Sequence, residues 1–249
     1  MNHDAELARA FDGQAARFEK APLQNDPAAL ARLVQFASLP ASSHVLDVGC
    51  GPGIVSEALL AADHRVTGVD LSTEMLQRAR ARCARFGDRA RFVQGSVFAL
   101  DHQDFDAAIS RFVMHHVVDP LGFVKAQVER IRPGGAVIIS DHTTDPDPEA
   151  ARRHQEIECA RDKTHTRNLT SGELADLFAR AGLKRIELAE DEFDLDFDEW
   201  FDRGTPSMAK PAVRAMAESS DARGFRAESR PDGGLTLHCV RTLIRGLVR

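Results

Sequence analysis

Residues 45–53 read Val-Leu-Asp-Val-Gly-Cys-Gly-Pro-Gly, and the fold follows from how this stretch changes character. A short apolar run, His44–Val48, ends in glycines at alternate positions, and a helix-like segment, Ile54–Ala62, begins at once. A strand that stops in a tight turn and re-emerges as a helix is the opening unit of a parallel sheet. Gly49, Gly51 and Gly53 permit positive φ and let the backbone approach a ligand with no Cβ in the way. The helix after them aims its unpaired N–H groups at the same place.

Working outward, the alternation continues. Arg65–Val69 reads as a strand and Thr73–Phe86 as an amphipathic helix capped by Ser72, with Met75 and Leu76 on its inner side. Arg91–Val97 and Phe105–Ser110 read as strands three and four. Leu121–Ile131 is a helix, Arg132–Gly135 a turn and Ala136–Ser140 strand five. Later come helices at Pro148–Arg161 and Thr170–Ala181, the second closed by Gly182, and a sixth strand at Leu183–Ala189. Phe193–Arg230 carries no strong strand pattern, although Glu190–Asp202 alternates acids with apolar residues as a half-buried edge strand and helix do. Leu235–Leu247 is the last strand, expected antiparallel at or near the sheet edge. Upstream, Asp4–Phe11 and Pro27–Leu39 have helical spacing, and Asp26-Pro27 starts the second. Strands and helices alternating at this pace predict an α/β fold. The expected architecture is a doubly wound, mostly parallel, seven-stranded Rossmann-like sheet with the last strand antiparallel. Residues 1–40 would form an N-terminal helical lid and 41–249 the main domain, with substrate-shaping insertions at 141–169 and 191–234.

The chain of 249 residues carries a formal net charge of −6, with 43% hydrophobic and 28% charged residues. That is the profile of a soluble globule and argues against general affinity for nucleic acid or anionic membranes. No apolar run approaches the ~20 residues of a spanning helix. The acid-bearing start, MNHDAELARAFDG, does not resemble a signal peptide. Cys50, Cys83, Cys159 and Cys239 are far apart, with no C-x-x-C pair, so no zinc cluster or disulfide framework is implied. The cytoplasm is the expected compartment. There is no tyrosine, which excludes a phenol base, while phenylalanine appears 14 times.

The chemistry gathers at strand ends. The glycine spacing is G-x-G-x-G rather than the dinucleotide pattern G-x-G-x-x-G, and Asp47 precedes it. An acid there is ill placed for a pyrophosphate and suits a ligand with an ammonium and a sulfonium charge. Asp70, at the end of strand two, is placed for a ribose diol. Gly95-Ser96-Val97 follows strand three and could receive an adenine edge. Ser110–His116 follows strand four with basic and aromatic residues.

With these pieces together, the chain resembles the class I S-adenosylmethionine-dependent methyltransferases. It is most similar to the branch of small-molecule enzymes akin to the ubiquinone/menaquinone methyltransferases. The carrying motifs are VLDVGCGPG (45–53), VTGVDLS (66–72), VQGS (93–96), FDAAISRFVMHHVVDP (105–120) and RPGG (132–135). The likeness runs from about residue 8 to 190. It implies S-adenosyl-L-methionine as cofactor, S-adenosyl-L-homocysteine as product, and a small-molecule acceptor. In that resemblance Asp47, Gly49, Cys50 and Gly51 surround the methionine part, with Asp47 orienting it, Gly53 is a further cofactor-binding position, and Asp70 takes the ribose hydroxyls. Leu71 and Met75 pack on adenine, while Ser96 and Val97 meet its edge. Arg111 and Phe112 line the methionine side, Phe18 covers it, and His115 and His116 face the transferred methyl. Ser96 departs from the family, where many members carry Asp. Phe11 and Phe18 stand where tyrosines are usual, in FDGQAARFE (11–19), which keeps lid packing and loses a phenolic hydrogen bond.

Methyl transfer from a sulfonium is an in-line displacement, favoured by alignment and a dry site. An acidic acceptor needs a base, and His116, then His115, are the candidates, because imidazole titrates near neutrality. Either histidine can instead simply cap or pack beneath the following helix. Cys50 reads as a small buried residue, having no basic neighbour to form a thiolate. His142, Arg161, His165, Arg167 and Trp200 are substrate-side candidates; Arg161, His165 and Arg167 would form a mobile cover and favour an anionic acceptor, the rival readings being a solvated face for that loop, a loop role for His142 and core packing for Trp200. No catalytic metal is expected, and the chain would work as a monomer or homodimer. A nicotinamide-dependent oxidoreductase is the rival on the same sheet, weakened by the Gly-Pro-Gly spacing and the missing Tyr-x-x-x-Lys pair. A non-catalytic cofactor-binding protein is the other alternative.

Overall fold

The computed structural model describes residues 3–101 and 104–249, so residues 1 and 2 of the expected lid lie outside the described residues. Among the described residues nine strands form one sheet, two more than the seven expected. They are β1 (His44–Val48), β2 (Arg65–Asp70), β3 (Ala90–Gln94), β4 (Phe105–Arg111), β5 (Ile131–Thr143), β6 (Lys184–Asp196), β7 (Asp221–Ala222), β8 (Phe225–Ser229) and β9 (Leu235–Leu247). The helices are α1 (His3–Lys20), α2 (Pro22–Asn25), α3 (Pro27–Ala37), α4 (Ile54–Ala61), α5 (Thr73–Cys83), α6 (Pro120–Val128), α7 (Pro148–Arg161), α8 (Ser171–Arg180), α9 (Phe197–Asp202) and α10 (Lys210–Glu218).

β3, β2, β1, β4 and β5 lie side by side and parallel, as the βα alternation requires. Their side chains alternate between two faces. Leu46, Val69, Ala108, Val137 and Ile139 join α6 and α8 residues such as Phe123, Leu174 and Phe178 in one buried cluster. Val45, Val66, Ala107, Ile109 and Ile138 join Leu33 of α3 and Leu59 of α4 in another. Fully burying each Val, Leu, Ile or Phe side chain among these stabilises the fold by roughly 1.5–3 kcal/mol before entropy is counted. A third cluster packs Ile157, Phe197, Trp200 and Val213 against Phe225 and Leu237, beneath the far end of β9.

The antiparallel half departs from expectation in two ways. β9 itself lies near the sheet edge, antiparallel as expected, with one strand beyond it. β6 pairs along one of its sides from Lys184 to Asp196, and β5 followed by β8 covers the other. β6 is longer than the Leu183–Ala189 reading: the acid–apolar alternation read from 190 as a half-buried edge strand continues it without a break to Asp196. The hairpin β7–β8 lies where no strand was read; a short Arg- and Glu-bearing strand gives little apolar signal. Smaller shifts occur elsewhere. β5 begins at Ile131 and carries 132–135 as an irregularity in its pairing with β4, and β3 stops at Gln94 before a 3-10 turn over Val97–Ala99.

Local capping follows the sequence. Ser72 Oγ accepts from Met75 N–H at 3.1 Å, and Asp26 accepts from Ala28 N–H at 3.0 Å. Thr170 and Glu173 make a reciprocal capping box on α8, and Gly182 follows that helix with φ of 88°. None of the described helices is long and apolar enough to cross a membrane.

Candidate active site

The carboxyl ends of β1–β4 open into a cavity of about 410 Å³, a size usual for small-ligand sites. α1 and α2 roof it with Leu7, Phe11, Phe18 and Gln24. Two glycines shape its floor. A Cβ at Gly49 would fall 2.5 Å from Val113, and one at Gly53 would fall 2.9 Å from the α5 backbone at Ala79. Both have positive φ, as does Gly51, which lines the cavity with only Met75 Sδ as near as 4.0 Å. Gly53 therefore packs the floor rather than lining the cavity.

Two carboxylates stand on this wall. Asp70 Oδ2 accepts from Gly51 N–H at 2.8 Å and Oδ1 from Ser72 N–H at 2.9 Å, so the acid knits the glycine turn to the start of α5. Each oxygen keeps a second lone pair, so Asp70 can hold these turns and still accept from a diol. Burial raises its carboxyl above the ordinary value, with the backbone N–H groups working the other way. Asp47 is 1% exposed and accepts from Ser56 Oγ at 2.6 Å. Burial pushes it up to about 7, opposed by that hydroxyl and aided by Asp70. Paired carboxylates with so little positive charge nearby are suited to a cationic ligand. Leu71, Met75 and Val97 supply apolar wall, and Ser96 Oγ, which accepts weakly from Phe98 N–H, lies beside them. Diol acceptor, apolar slot and acidic end together fit S-adenosylmethionine.

Arg111 is 7% exposed and lines the opposite wall. It donates to the carbonyls of Gln24 and Leu23 at 2.9 and 3.0 Å, fastening the roof to β4. Burial lowers its guanidinium to about 10. Phe112 follows in the left-handed region, φ 58°, with the Arg111 guanidinium over its ring. Few bulky residues adopt that conformation. It redirects the chain into a 3-10 turn at Met114–His116.

Of the two histidines there, His116 lines the cavity and His115 does not. His116 Nδ1–H donates to the Thr164 carbonyl at 3.0 Å, leaving Nε2 as the acceptor of the neutral ring. Burial and the neighbouring His115 push it down to about 4. His115 Nδ1–H donates to Asp141 at 2.6 Å; burial disfavours its charge, but the carboxylate outweighs that and holds its pKa above the ordinary value.

The substrate-side candidates stand off the cavity. Arg161 donates twice to the Trp200 carbonyl, at 2.9 and 2.7 Å, and Trp200 is core, 2% exposed between Phe197 and Phe225. His165 is buried beside Gln155, and Arg167 pairs with Glu173 on the surface. His142 packs between the rings of Phe112 and Phe193. Cys50, a cavity residue, has its thiol held far from ionisation by burial. Sequence reasoning missed His3, Asp4, Gln24 and Asp119 on the cavity wall. For His3 the signal was present: it falls on the same α1 face as Leu7, Phe11 and Phe18. Its Nε2–H donates to the His116 carbonyl at 2.8 Å. Among the described residues no group of three or more His, Cys, Asp or Glu is placed to hold a metal ion.

Comparison with known proteins agrees with this geometry. The ubiquinone biosynthesis O-methyltransferase of Aromatoleum aromaticum is 40% identical over 103 residues, 40% of this chain and 44% of that protein, so the chain spans under half of that relative's length. The YcgJ protein of Bacillus subtilis superposes with a TM-score of 0.79 at 24% identity, covering 89% of this chain and 98% of that one. Geranyl diphosphate C-methyltransferase of Streptomyces coelicolor, solved with Mg²⁺, geranyl diphosphate and S-adenosyl-L-homocysteine, gives 0.67 at 15% identity, covering 100% and 99%. A family model described as a methyltransferase domain matches residues 23–188, and the chain belongs to that family.

Proposed function

We propose that the chain transfers a methyl group from S-adenosyl-L-methionine to a small-molecule acceptor by in-line displacement, releasing S-adenosyl-L-homocysteine. The observation that carries this reading is one cavity bordered at once by the glycine turn, Asp47, Asp70, the Ser96–Val97 turn and His116. When bound, the donor supplies an electrophilic methyl on a positively charged sulfur. Asp47 and the turn Gly49–Gly51 take its amino-acid end, with Arg111 on the facing wall. Asp70 takes the ribose diol, while Leu71, Met75, Ser96 and Val97 take the adenine. Residues 1–40 act as a lid on the domain 41–249, and Phe11 and Phe18 exclude water.

His116 is the base for an acceptor that must lose a proton, because its Nε2 is unprotonated when Nδ1–H is committed to Thr164. The Aromatoleum relative is named an O-methyltransferase, and an O–H acceptor would need that step. An anionic group on the acceptor finds Arg111, which borders the cavity and has N–H donors beyond the two given to Leu23 and Gln24, whereas Arg161, His165 and Arg167 stand off it. Four free cysteines fit a reducing, cytoplasmic setting, and the chain acts as a monomer or homodimer. Calorimetry with S-adenosylmethionine, S-adenosylhomocysteine and NAD(H), followed by methyl transfer to a panel of phenols, amines and carbon acids, tests the reading. Binding of both sulfur ligands with turnover supports it. Binding of NAD(H) alone sinks it, and tight binding without turnover returns the chain to a cofactor-holding role.

A further inference from the structure

We propose that His115 and Asp141 are a positioning pair for the transfer reaction: their contact pins the turn Met114–His116 to the end of β5 and presents His116 to the cavity with Nε2 open as an acceptor. The inference rests on His116 being the base and assigns what holds that base in place.

The turn needs holding. Its entry residue, Phe112, is left-handed, a conformation that persists only where the surroundings enforce it. Asp141, 1% exposed, supplies the enforcement by accepting three hydrogen bonds. Met114 N–H reaches Oδ2 at 2.6 Å, and His115 Nδ1–H and His142 N–H reach Oδ1 at 2.6 and 2.7 Å. From the other side, the His115 carbonyl accepts from Thr166 N–H and Thr166 Oγ1–H, each at 2.8 Å. His115 is thus fixed at both its ring and its backbone, yet it does not border the cavity. A residue so placed acts through its neighbour, whose ring centroid is 4.2 Å away.

Charge acts in the same direction. His116 faces His115 on its own turn, Asp141 from β5, Asp162 and His165 from the segment after α7, and the edge of the Phe11 ring from α1, while His3 of α1 reaches its carbonyl; His142, Glu158 and Arg161 act on His115. Asp162 is already engaged by Arg161, Thr164 and Thr205. His142 and His165 are held neutral by burial, each down to about 3. Asp141 favours the imidazolium of His115, and a cation there disfavours a second proton on His116. The pair therefore aims the base and keeps it proton-free.

His115→Gln keeps a donor toward Asp141 but carries no charge. It should move the acid limb of kcat upward by about one pH unit or more, with S-adenosylmethionine affinity within about twofold. Asp141→Asn should move the limb the same way. His116→Ala in the same assay should abolish the limb and lower kcat by ~10²-fold or more. A limb that survives in His116→Ala defeats the base assignment itself. A limb that vanishes there but stays put in both other variants leaves the base standing and overturns the positioning pair. Ring ¹⁵N shifts of the unsubstituted protein decide the matter without relying on any variant to fold. His115 should stay doubly protonated to higher pH than His116, and the reverse order overturns the proposal.

Discussion

Asp47 and Asp141 are both 1% exposed and both lie near the ends of strands in one sheet, yet they are buried in different company. Asp47 has a serine hydroxyl as its hydrogen-bond partner and another carboxylate, Asp70, nearby; Arg111 acts on it more weakly and directs two donors to backbone carbonyls. Burial carries its carboxyl to about 7. Asp141 is equally desolvated, but the His115 imidazole and two backbone N–H donors hold it below the ordinary carboxylate range. The same division runs through the neighbourhoods. Asp162 has Arg161, and Glu158 has His154, whereas Asp70 has backbone N–H groups only. One half of the strand-end edge is electrostatically complete by itself. The other half holds acids that burial makes unfavourable, and we propose that a cationic ligand completes it.

The contrast can be broken most severely at Asp141. Asp141→Ala leaves the buried His115 without its carboxylate and should cost about 3–5 kcal/mol of stability. Thermal or urea unfolding checks this, and a variant within ~1 kcal/mol of the parent would mean the half is not self-complete. Next comes Asp70→Ala, which should weaken S-adenosylmethionine binding by about 1–3 kcal/mol in calorimetry while the sheet survives.

Asp47 gives an effect of opposite sign. Its folded pKa lies above the unfolded one, so the folded chain holds a proton that the unfolded chain releases between roughly pH 4 and pH 7. Stability from this group is present at low pH and lost as pH rises through about 7. Asp47→Asn should therefore stabilise the ligand-free protein at pH 8 by about 1–2 kcal/mol while impairing cofactor binding. In the unsubstituted protein, cofactor binding near pH 6.5, where the cofactor's α-amino group is already protonated, should release a fraction of a proton, visible as a buffer-dependent enthalpy that Asp47→Asn removes. Proton uptake instead would reverse the assigned role. The smallest effect belongs to Arg167→Ala, an exposed pair with Glu173: stability within about 0.5 kcal/mol and an unchanged acceptor KM. A raised KM would bring that loop back to the acceptor.

How far each half was legible follows from how it is assembled. The ligand-dependent half is written in contiguous runs, because a strand, its glycine turn and the next helix are neighbours in sequence; Asp47, Gly51, Asp70 and Ser96 could be placed from spacing alone. The other half is assembled from distant pieces. His116 meets Thr164, and His115 meets both Asp141 and Thr166, through packing that no local pattern encodes. In the sequence Arg161 reads as part of a polar cover over the acceptor, and Trp200 as either core or pocket wall. The two are spent on each other, guanidinium to carbonyl, in the third core cluster. Gln24 reaches the cavity only because Arg111 fixes the carbonyls of α2. β8 escaped notice because a five-residue strand between a glycine turn and polar residues carries too little periodicity.

The position of β9 between β5 and β6 also sets a timetable. β5 and β6 never touch as partners; each is zipped to the strand that spans residues 235–247. On a ribosome making ~5–20 residues per second, the five parallel strands can emerge and collapse while their neighbour is still unmade. During that interval β5 shows an unpaired edge rich in Val and Ile, a segment prone to pairing with the wrong chain. Long-range closure of this kind is slow by its topology. Expression yield should therefore depend on chaperone supply and on slowed synthesis before residue 235 far more than the finished protein's stability suggests.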